Sequence, residues 1–217
     1  MPATLPAGQP AARRPWFASE AGQALVGSEI PLIRRTLSER PGLPWVWFAP
    51  APVDAAGLGR GLLLVARGNA WEGSVRCQLP LPLASESVAT LVLQHVPVDE
   101  GLAELLAECA RVLVDGGRLQ LLALNPLSPY RLRWQGAGLR ANEPLAWRRR
   151  LRRVGLEPDP VSQGVGPAWR MQAHPGTGSG PGLCAAYALR AEKRATPLTP
   201  TPGAARRLRF QQGLSTG

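Results

Sequence analysis

The side chain with the clearest capacity for acid–base chemistry is His95, one of two histidines in the chain. Together with Gln94 it lies near the end of an apolar segment, residues 88–96. An imidazole titrates near neutral pH, so His95 can act as a general base toward a bound substrate. The alternative is a structural histidine that only supports the end of this segment.

A second candidate is Asn125, which follows the apolar segment 118–124 and precedes Pro126. If both segments are parallel strands, His95 and Asn125 stand at the same edge of the sheet. Ligands of parallel sheets bind at the carboxyl ends of the strands, so both residues are expected near a substrate. The alternative for Asn125 is an amide that caps its own loop.

These residues have to be positioned by strands and helices that the hydrophobic pattern predicts. Strands are predicted at 45–50, 61–67, 75–79, 88–96, 118–124 and 183–190, and helices at 18–39, 100–114 and 143–154. Asp99 is the expected N-cap of the middle helix and Gly116-Gly117 its C-terminal stop. Residues 163–182 are expected to be a Gly/Pro-rich loop. Strands that alternate with helices predict an α/β fold with a doubly wound, mostly parallel sheet and an N-terminal helical segment.

Length and composition favour one domain with appendages. The chain has 217 residues, 45% of them hydrophobic, which is enough for a sizeable core. We expect a disordered N-terminus at 1–15, a folded domain at 16–194 and a disordered basic tail at 195–217.

Several classes of protein and site are disfavoured by the sequence. No apolar run reaches the roughly 18 residues that a membrane span needs, and the N-terminus has no apolar core of a secretory signal. Cys77, Cys109 and Cys184 have neither metal-ligand spacing nor the pattern of a disulfide framework. A reduced, cytoplasmic location without a metal site is therefore predicted.

The net charge of +10 raises the question of a polyanionic partner such as RNA. Residues 131–153 carry eight arginines and one acid, Glu143. On the predicted helix 143–154, a basic face toward water is expected from Arg148, Arg149, Arg150, Arg152 and Arg153. The alternative is a compositional bias, since Lys193 is the one lysine among 25 basic residues.

Four segments resemble the class I, Rossmann-like S-adenosylmethionine-dependent methyltransferases. They are LPLPLASESVATLVLQHV at 79–96, ELLAECAR at 104–111, RVLVDGGRLQLLALNP at 111–126 and RRRLRRVGLEP at 148–158. The closer resemblance, which includes the N-terminal helical segment and KRATPLTP at 193–200, is to small bacterial YafS-like methyltransferase-like proteins. The resemblance implies a doubly wound sheet of the class I methyltransferase type and S-adenosylmethionine as cofactor.

The resemblance also implies which positions would contact that cofactor. Ala49 and Ala51 stand at the turn after the first strand, Asn69 after the second strand, Gln78 near the adenine, and Gln94 beside the methyl donor. His95 and Asn125 would lie near the methyl group.

Three of these positions depart from the family's pattern. Pro50 and Pro52 replace a glycine-rich turn, Asn69 replaces a carboxylate at the ribose, and Gln78 replaces an acid. Two hypotheses follow: a methyltransferase acting on a small-molecule acceptor, or a catalytically inactive binding or scaffold protein that has lost the cofactor and possesses the same fold.

Overall fold

The structure, a computed structural model, describes residues 13–67, 70–168 and 183–194, with side chains from Trp16 onward. The expectations for 1–12, for 195–217 and for most of the loop 163–182 lie outside these residues. The helices are α1 (Arg13–Ala18), α2 (Glu20–Ser38), α3 (Leu102–Val112) and α4 (Pro144–Arg153). The strands are β1 (Trp45–Ala49), β2 (Gly61–Arg67), β3 (Ala70–Gly73), β4 (Val88–Gln94), β5 (Leu113–Leu124), β6 (Leu156–Pro158), β7 (Gln163–Ala168) and β8 (Cys184–Lys193).

One mixed sheet organises these elements. Its strand order is β3-β2-β1-β4-β5-β8-β6, and β7 also pairs with β8. Strands β2, β1, β4 and β5 are parallel to their neighbours in this group, whereas β3 and β8 run antiparallel. The doubly wound α/β sheet and the N-terminal helix that the sequence predicted are confirmed. The parallel strands place the ends of β1, β4 and β5 at one edge.

Helices cover both faces of the sheet. On one face Ile33 and Leu37 of α2 pack with Trp47 of β1. On the other face α3 and α4 pack against the sheet through buried side chains such as Leu106 and Leu151. Strand β4 is buried along its whole length because it lies between these two layers.

The connection between β1 and β2 contains no helix and is fixed by individual hydrogen bonds. Arg34 of α2 donates to the carbonyl oxygens of Asp54 and Ala56 at 3.0 and 3.1 Å. Trp45 Nε1 donates to the carbonyl of Leu58 at 2.7 Å. The Trp45 ring lies against Gly61, where an added Cβ would be 2.0 Å from a ring atom. Helix α2 thus covers the face beside this loop.

Helix α2 is continuous although it contains a proline. Ser19 is the N-cap, and its side chain accepts from the amide of Gly22. Pro31 lies inside the helix without ending it. Ser28 also lies inside the helix, and its hydroxyl donates to the carbonyl of Leu25.

Two predictions about the ends of α3 are wrong. The N-cap is Gly101, and no side chain caps the helix; Asp99 instead contributes its backbone carbonyl to Leu102. The helix ends at Val112, so Gly116-Gly117 do not stop it. They lie further along the chain, inside β5. There the pairing of β4 with β5 shifts register, and Gly116 adopts a positive φ of 69°. The glycines therefore accommodate a bulge, for which a residue without Cβ is suited.

Two predictions about strands also need correction. The strand expected at 75–79 does not form, and Cys77 makes only an isolated bridge with Trp71. The hairpin partner of β2 is instead β3, at 70–73. Residues 163–168 form β7, although a loop was expected there because of Gly164, Gly166 and Pro167. Pairing with β8 supplies the backbone hydrogen bonds that the local sequence does not predict.

Among the described residues, no helix combines the length and the apolar character that crossing a bilayer requires.

A candidate active site beside His95

A large cavity opens at the carboxyl ends of the central strands. Its volume is about 1290 Å³, above the range of roughly 300–1,000 Å³ that is usual for a single small ligand. Its walls come from Ala49 at the end of β1 and Pro50 after it, Ala66 of β2, Leu122–Leu124 of β5, and residues 95–102, 104 and 105. This is the edge of a parallel sheet at which ligands bind.

His95 lies on the wall of this cavity, where the sequence placed it. Its Nε2 is 2.9 Å from Oε1 and 3.0 Å from Oε2 of Glu29, and its side chain is 1% exposed. A hydrogen bond to a carboxylate requires the proton on Nε2. In the neutral imidazole, Nδ1 is then the unprotonated nitrogen, and Nδ1 has no hydrogen-bond partner among the described residues. The ring of Phe17 stacks on the imidazole at a centroid distance of 5.1 Å.

The backbone of His95 is strained in a manner typical of functional residues. Its φ is +48°, in the left-handed region that side chains other than glycine rarely occupy. Its amide donates to the carbonyl of Leu122 at 2.9 Å, which fixes the turn after β4. Strain of this kind clusters at active sites and ligand clamps.

Glu29, the partner of His95, was not predicted from the sequence. It is fully buried on α2, and Gln94 Nε2 also donates to its Oε2 at 2.8 Å. The signal was present, since Glu29 stands three residues after Val26 and four before Ile33, both buried. A carboxylate on the apolar stripe of a helix needs a buried partner, and such carboxylates are therefore candidates for function.

Gln94 and Asn125 are placed away from the cavity. The side-chain oxygen Oε1 of Gln94 accepts from Trp47 Nε1 at 3.1 Å, and its Nε2 donates to Glu29. Both polar atoms of the side chain therefore bind protein groups. The Asn125 amide donates to the carbonyl of Cys184 at 2.9 Å, and its oxygen accepts from the amide of Leu127 at 3.1 Å. Asn125 thus caps the loop after β5, which is the alternative that the sequence left open.

The residues expected around the cofactor are only partly brought together. Ala49 and Gln78 line the cavity, and Ala51 does not. Asn69 lies outside the described residues. Pro50 contributes to the wall without filling the cavity.

The α4 side of the cavity carries polar atoms that the sequence did not single out. Asn142, Trp147 and Arg150 all line it. The prediction that Arg150 faces water is wrong, because its guanidinium lies 5.5 Å from the centre of the Trp147 ring and its Nη1 is buried. Arg149, Arg152 and Arg153 are exposed, while Arg148 is half-buried and donates to the carbonyl of Asp159 at 2.9 Å.

A clamp on α3 fixes the loop that borders the cavity near Gln78 and Leu79. Glu108 accepts from Nε and Nη2 of Arg111 at 2.9 and 2.8 Å and from the amide of Leu81 at 2.8 Å. Arg111 in turn donates to the carbonyls of Leu81 and Leu83 at 3.1 and 2.9 Å. The hydrogen bonds from Arg111 lower the pKa of the Glu108 carboxyl, with a further contribution from Leu81. Both carboxylate oxygens of Glu108 therefore bind protein groups.

The chemistry of the lining decides which groups fit. Among the described residues, no cluster of three His, Cys, Asp or Glu side chains is arranged to hold a metal ion. The cavity has room for a nucleoside-sized cofactor together with an acceptor. At the ends of β1 and β2, however, its lining residues Ala49, Pro50 and Ala66 bear no carboxylate. S-adenosylmethionine thus fits by volume and position, with Gln78 as the polar side chain on that side.

Comparison with known proteins supports the architecture. No protein-family model matches the sequence, and no curated protein sequence matches it. An S-adenosylmethionine-dependent methyltransferase from Thermotoga maritima is similar in structure, with 17% identity, a TM-score of 0.52 and coverage of 83% of this chain and 94% of that chain. A chain from the complex between the Haloferax volcanii Trm112 methyltransferase activator and a methyltransferase has 14% identity, a TM-score of 0.54 and coverage of 85% and 98%.

The fold is that of the class I S-adenosylmethionine-dependent methyltransferases. At these identities the likeness establishes the architecture alone. The specific resemblance to YafS-like proteins stays a prediction, since no family model matches.

Proposed function

We propose that this protein is an S-adenosylmethionine-dependent methyltransferase that acts on a small-molecule acceptor. The observation that carries the proposal is the cavity of about 1290 Å³ at the carboxyl ends of the strands, with His95 on its wall. The cofactor would supply an electrophilic methyl group. The contribution of the protein is then mainly to align donor and acceptor and to exclude water.

Within this proposal, Ala49 and Pro50 would contact the cofactor at the first turn and Gln78 would bind it by its amide. Asn69 is retained as a candidate at the ribose. His95 would accept a proton from the acceptor at Nδ1, because Glu29 fixes the proton on Nε2. Gln94 and Asn125 act through the packing around the site, since their amides bind protein groups.

Calorimetric titration with S-adenosylmethionine and with its demethylated product tests the proposal. We expect micromolar affinity for both. Ala66→Leu, which adds bulk on the cavity wall, should weaken binding roughly tenfold or more. Ala103→Leu is the matched control, because Ala103 is exposed and does not line the cavity. Absence of heat for both ligands at high protein concentration contradicts the proposal.

A second candidate function is a binding or scaffold protein that has lost the cofactor. It is favoured by Pro50 and Pro52, which offer no backbone donors at the first turn, and by the absence of a carboxylate among the lining residues of β1 and β2. The same titration separates the two functions. The resemblance to YafS-like proteins, a folded domain at 16–194 and a cytoplasmic location are further parts of the proposal.

A further inference from the structure

We propose that Asn142, Trp147 and Arg150 form a binding site for a carboxylate group of the methyl acceptor. The assignment of this carboxylate to an acceptor rests on the proposed function. The site itself rests on the unpaired polar atoms at the α4 wall of the cavity.

Three nitrogen donors at this wall are buried and have no partner among the described residues. They are Asn142 Nδ2, Trp147 Nε1 and Arg150 Nη1, and all three residues line the cavity. Trp147 is 1% exposed. A buried donor without an acceptor destabilises the folded protein. Three such donors on one wall of one cavity point to a ligand that brings the acceptor atoms.

Trp147 and Arg150 are neighbours on α4, and Asn142 lies two residues before this helix. Trp147 and Arg150 stand three residues apart on α4 and so share one face of the helix. The guanidinium of Arg150 lies 5.5 Å from the centre of the Trp147 ring. The hydroxyl of Tyr187 donates to the backbone carbonyl of Asn142, so this contact does not use the side-chain amide. Burial raises the pKa of the Tyr187 hydroxyl, so it stays protonated as a donor, while the positive charges of Arg148 and Arg150 partly oppose that rise.

The donor set defines the chemistry of the ligand. An amide, an indole and a guanidinium all donate, and the guanidinium fork matches the two oxygens of a carboxylate. The rest of the cavity disfavours a multiply charged anion, because three acids, Asp99, Glu100 and Glu104, line it beside Arg140 and Arg150. A group with a single negative charge therefore fits better than a phosphate.

The experiment is a titration of the protein with sodium acetate, followed through the indole N–H resonances and compared with sodium chloride at equal ionic strength. Trp147→Phe assigns the resonance of Trp147. We expect this resonance to shift and saturate with acetate, with a dissociation constant on the order of 1–10 mM, since acetate has only four non-hydrogen atoms. Arg150→Met should weaken acetate binding roughly tenfold or more.

Arg149→Met is the matched control, because Arg149 is the exposed neighbour on the same helix. Asn142→Ala is the second variant, since the contact to Tyr187 uses the backbone of Asn142 and survives the substitution. A shift that does not saturate, that chloride reproduces, or that persists in both Arg150→Met and Asn142→Ala overturns the site.

The same titration repeated with saturating S-adenosylmethionine separates this inference from the proposed function. Acetate that still binds supports an acceptor site. Acetate that the cofactor displaces assigns the donors to the carboxylate of the cofactor and overturns the acceptor role. If the cofactor does not bind but acetate does, the proposed function fails and the carboxylate site remains, without its acceptor assignment.

Discussion

Nε2 of His95 lies 2.9 Å from Oε1 of Glu29, across a separation of 66 residues in the sequence. This contact connects the N-terminal helix α2 to the end of the central strand β4. The buried carboxylate of Glu29 accepts from both His95 and Gln94. Gln94 in turn accepts from Trp47. The contact with Glu29 uses Nε2 of the imidazole, and Nδ1 has no hydrogen-bond partner among the described residues.

Substitution of Glu29 by alanine should lower the free energy of unfolding by about 3 kcal/mol, because it leaves Gln94 Nε2 and His95 Nε2 buried without an acceptor. Glu29→Gln keeps one acceptor oxygen and should lose less. Urea denaturation measures both. Gln23→Ala, an exposed position on the same helix, is the control. Equal stability of Glu29→Ala and the control would show that the network does not stabilise the fold.

Glycine should be tolerated better than alanine at His95, the reverse of the usual order. Both substitutions remove the imidazole, but alanine keeps a Cβ at a φ of +48°. The difference in unfolding free energy should be about 1 kcal/mol in favour of His95→Gly. Ala103→Gly on α3 is the reference and should show the opposite sign by a similar amount. If alanine is the more stable residue at position 95, the backbone there is not strained.

The sequence predicted the sheet well because its central strands are continuous apolar runs. The strand β4, the helix α3 and the buried face of α4 each follow from local periodicity. Periodicity also contains two signals that the prediction did not use. Successive residues of a strand face opposite sides, which argues against the prediction that Gln94 and His95 both lie in one pocket. Arg150 follows Trp147 by three positions, which places it on the buried face of α4.

Other features depend on contacts that are distant in sequence. Glu29 is recognisable as unusual on an apolar stripe, but its partners His95 and Gln94 are set by how α2 crosses the sheet. Strand β7 exists because β8 offers an edge for pairing. The bulge at Gly116 requires the register between β4 and β5, which no local pattern specifies.

The clamp between Glu108 and Arg111 should make stability depend on pH at the acidic end. The pKa of Glu108 is lowered in the folded state, mainly by the hydrogen bonds from Arg111. Its contribution is therefore complete above the ordinary pKa of a glutamate and is lost as the pH falls through the lowered pKa. Glu108→Gln should be less stable than the wild type at pH 7, and the two should converge in acid. Denaturation at both pH values, with the exposed Glu157→Gln as control, measures this. A gap that stays constant with pH would contradict the role of the ionised carboxylate.

Binding of RNA, which the net charge of +10 suggested, should depend on the exposed arginines of α4 alone. Arg149, Arg152 and Arg153 face solvent, whereas Arg150 lies against Trp147. We expect the triple substitution of the exposed set by glutamate to weaken binding of poly(U). The logarithmic slope of affinity against salt should fall by about 0.7 for each phosphate that the variant no longer neutralises. Arg150→Met should leave this binding nearly unchanged.

The control for RNA binding replaces the exposed Arg35, Arg60 and Arg131 by glutamate, which changes the net charge equally. Fluorescence anisotropy at several salt concentrations measures the affinities. Because the two triple variants carry the same charge, a difference between them reports the position of the arginines and not their number. Equal weakening in the two variants would show that total charge, and not the face of α4, determines the binding.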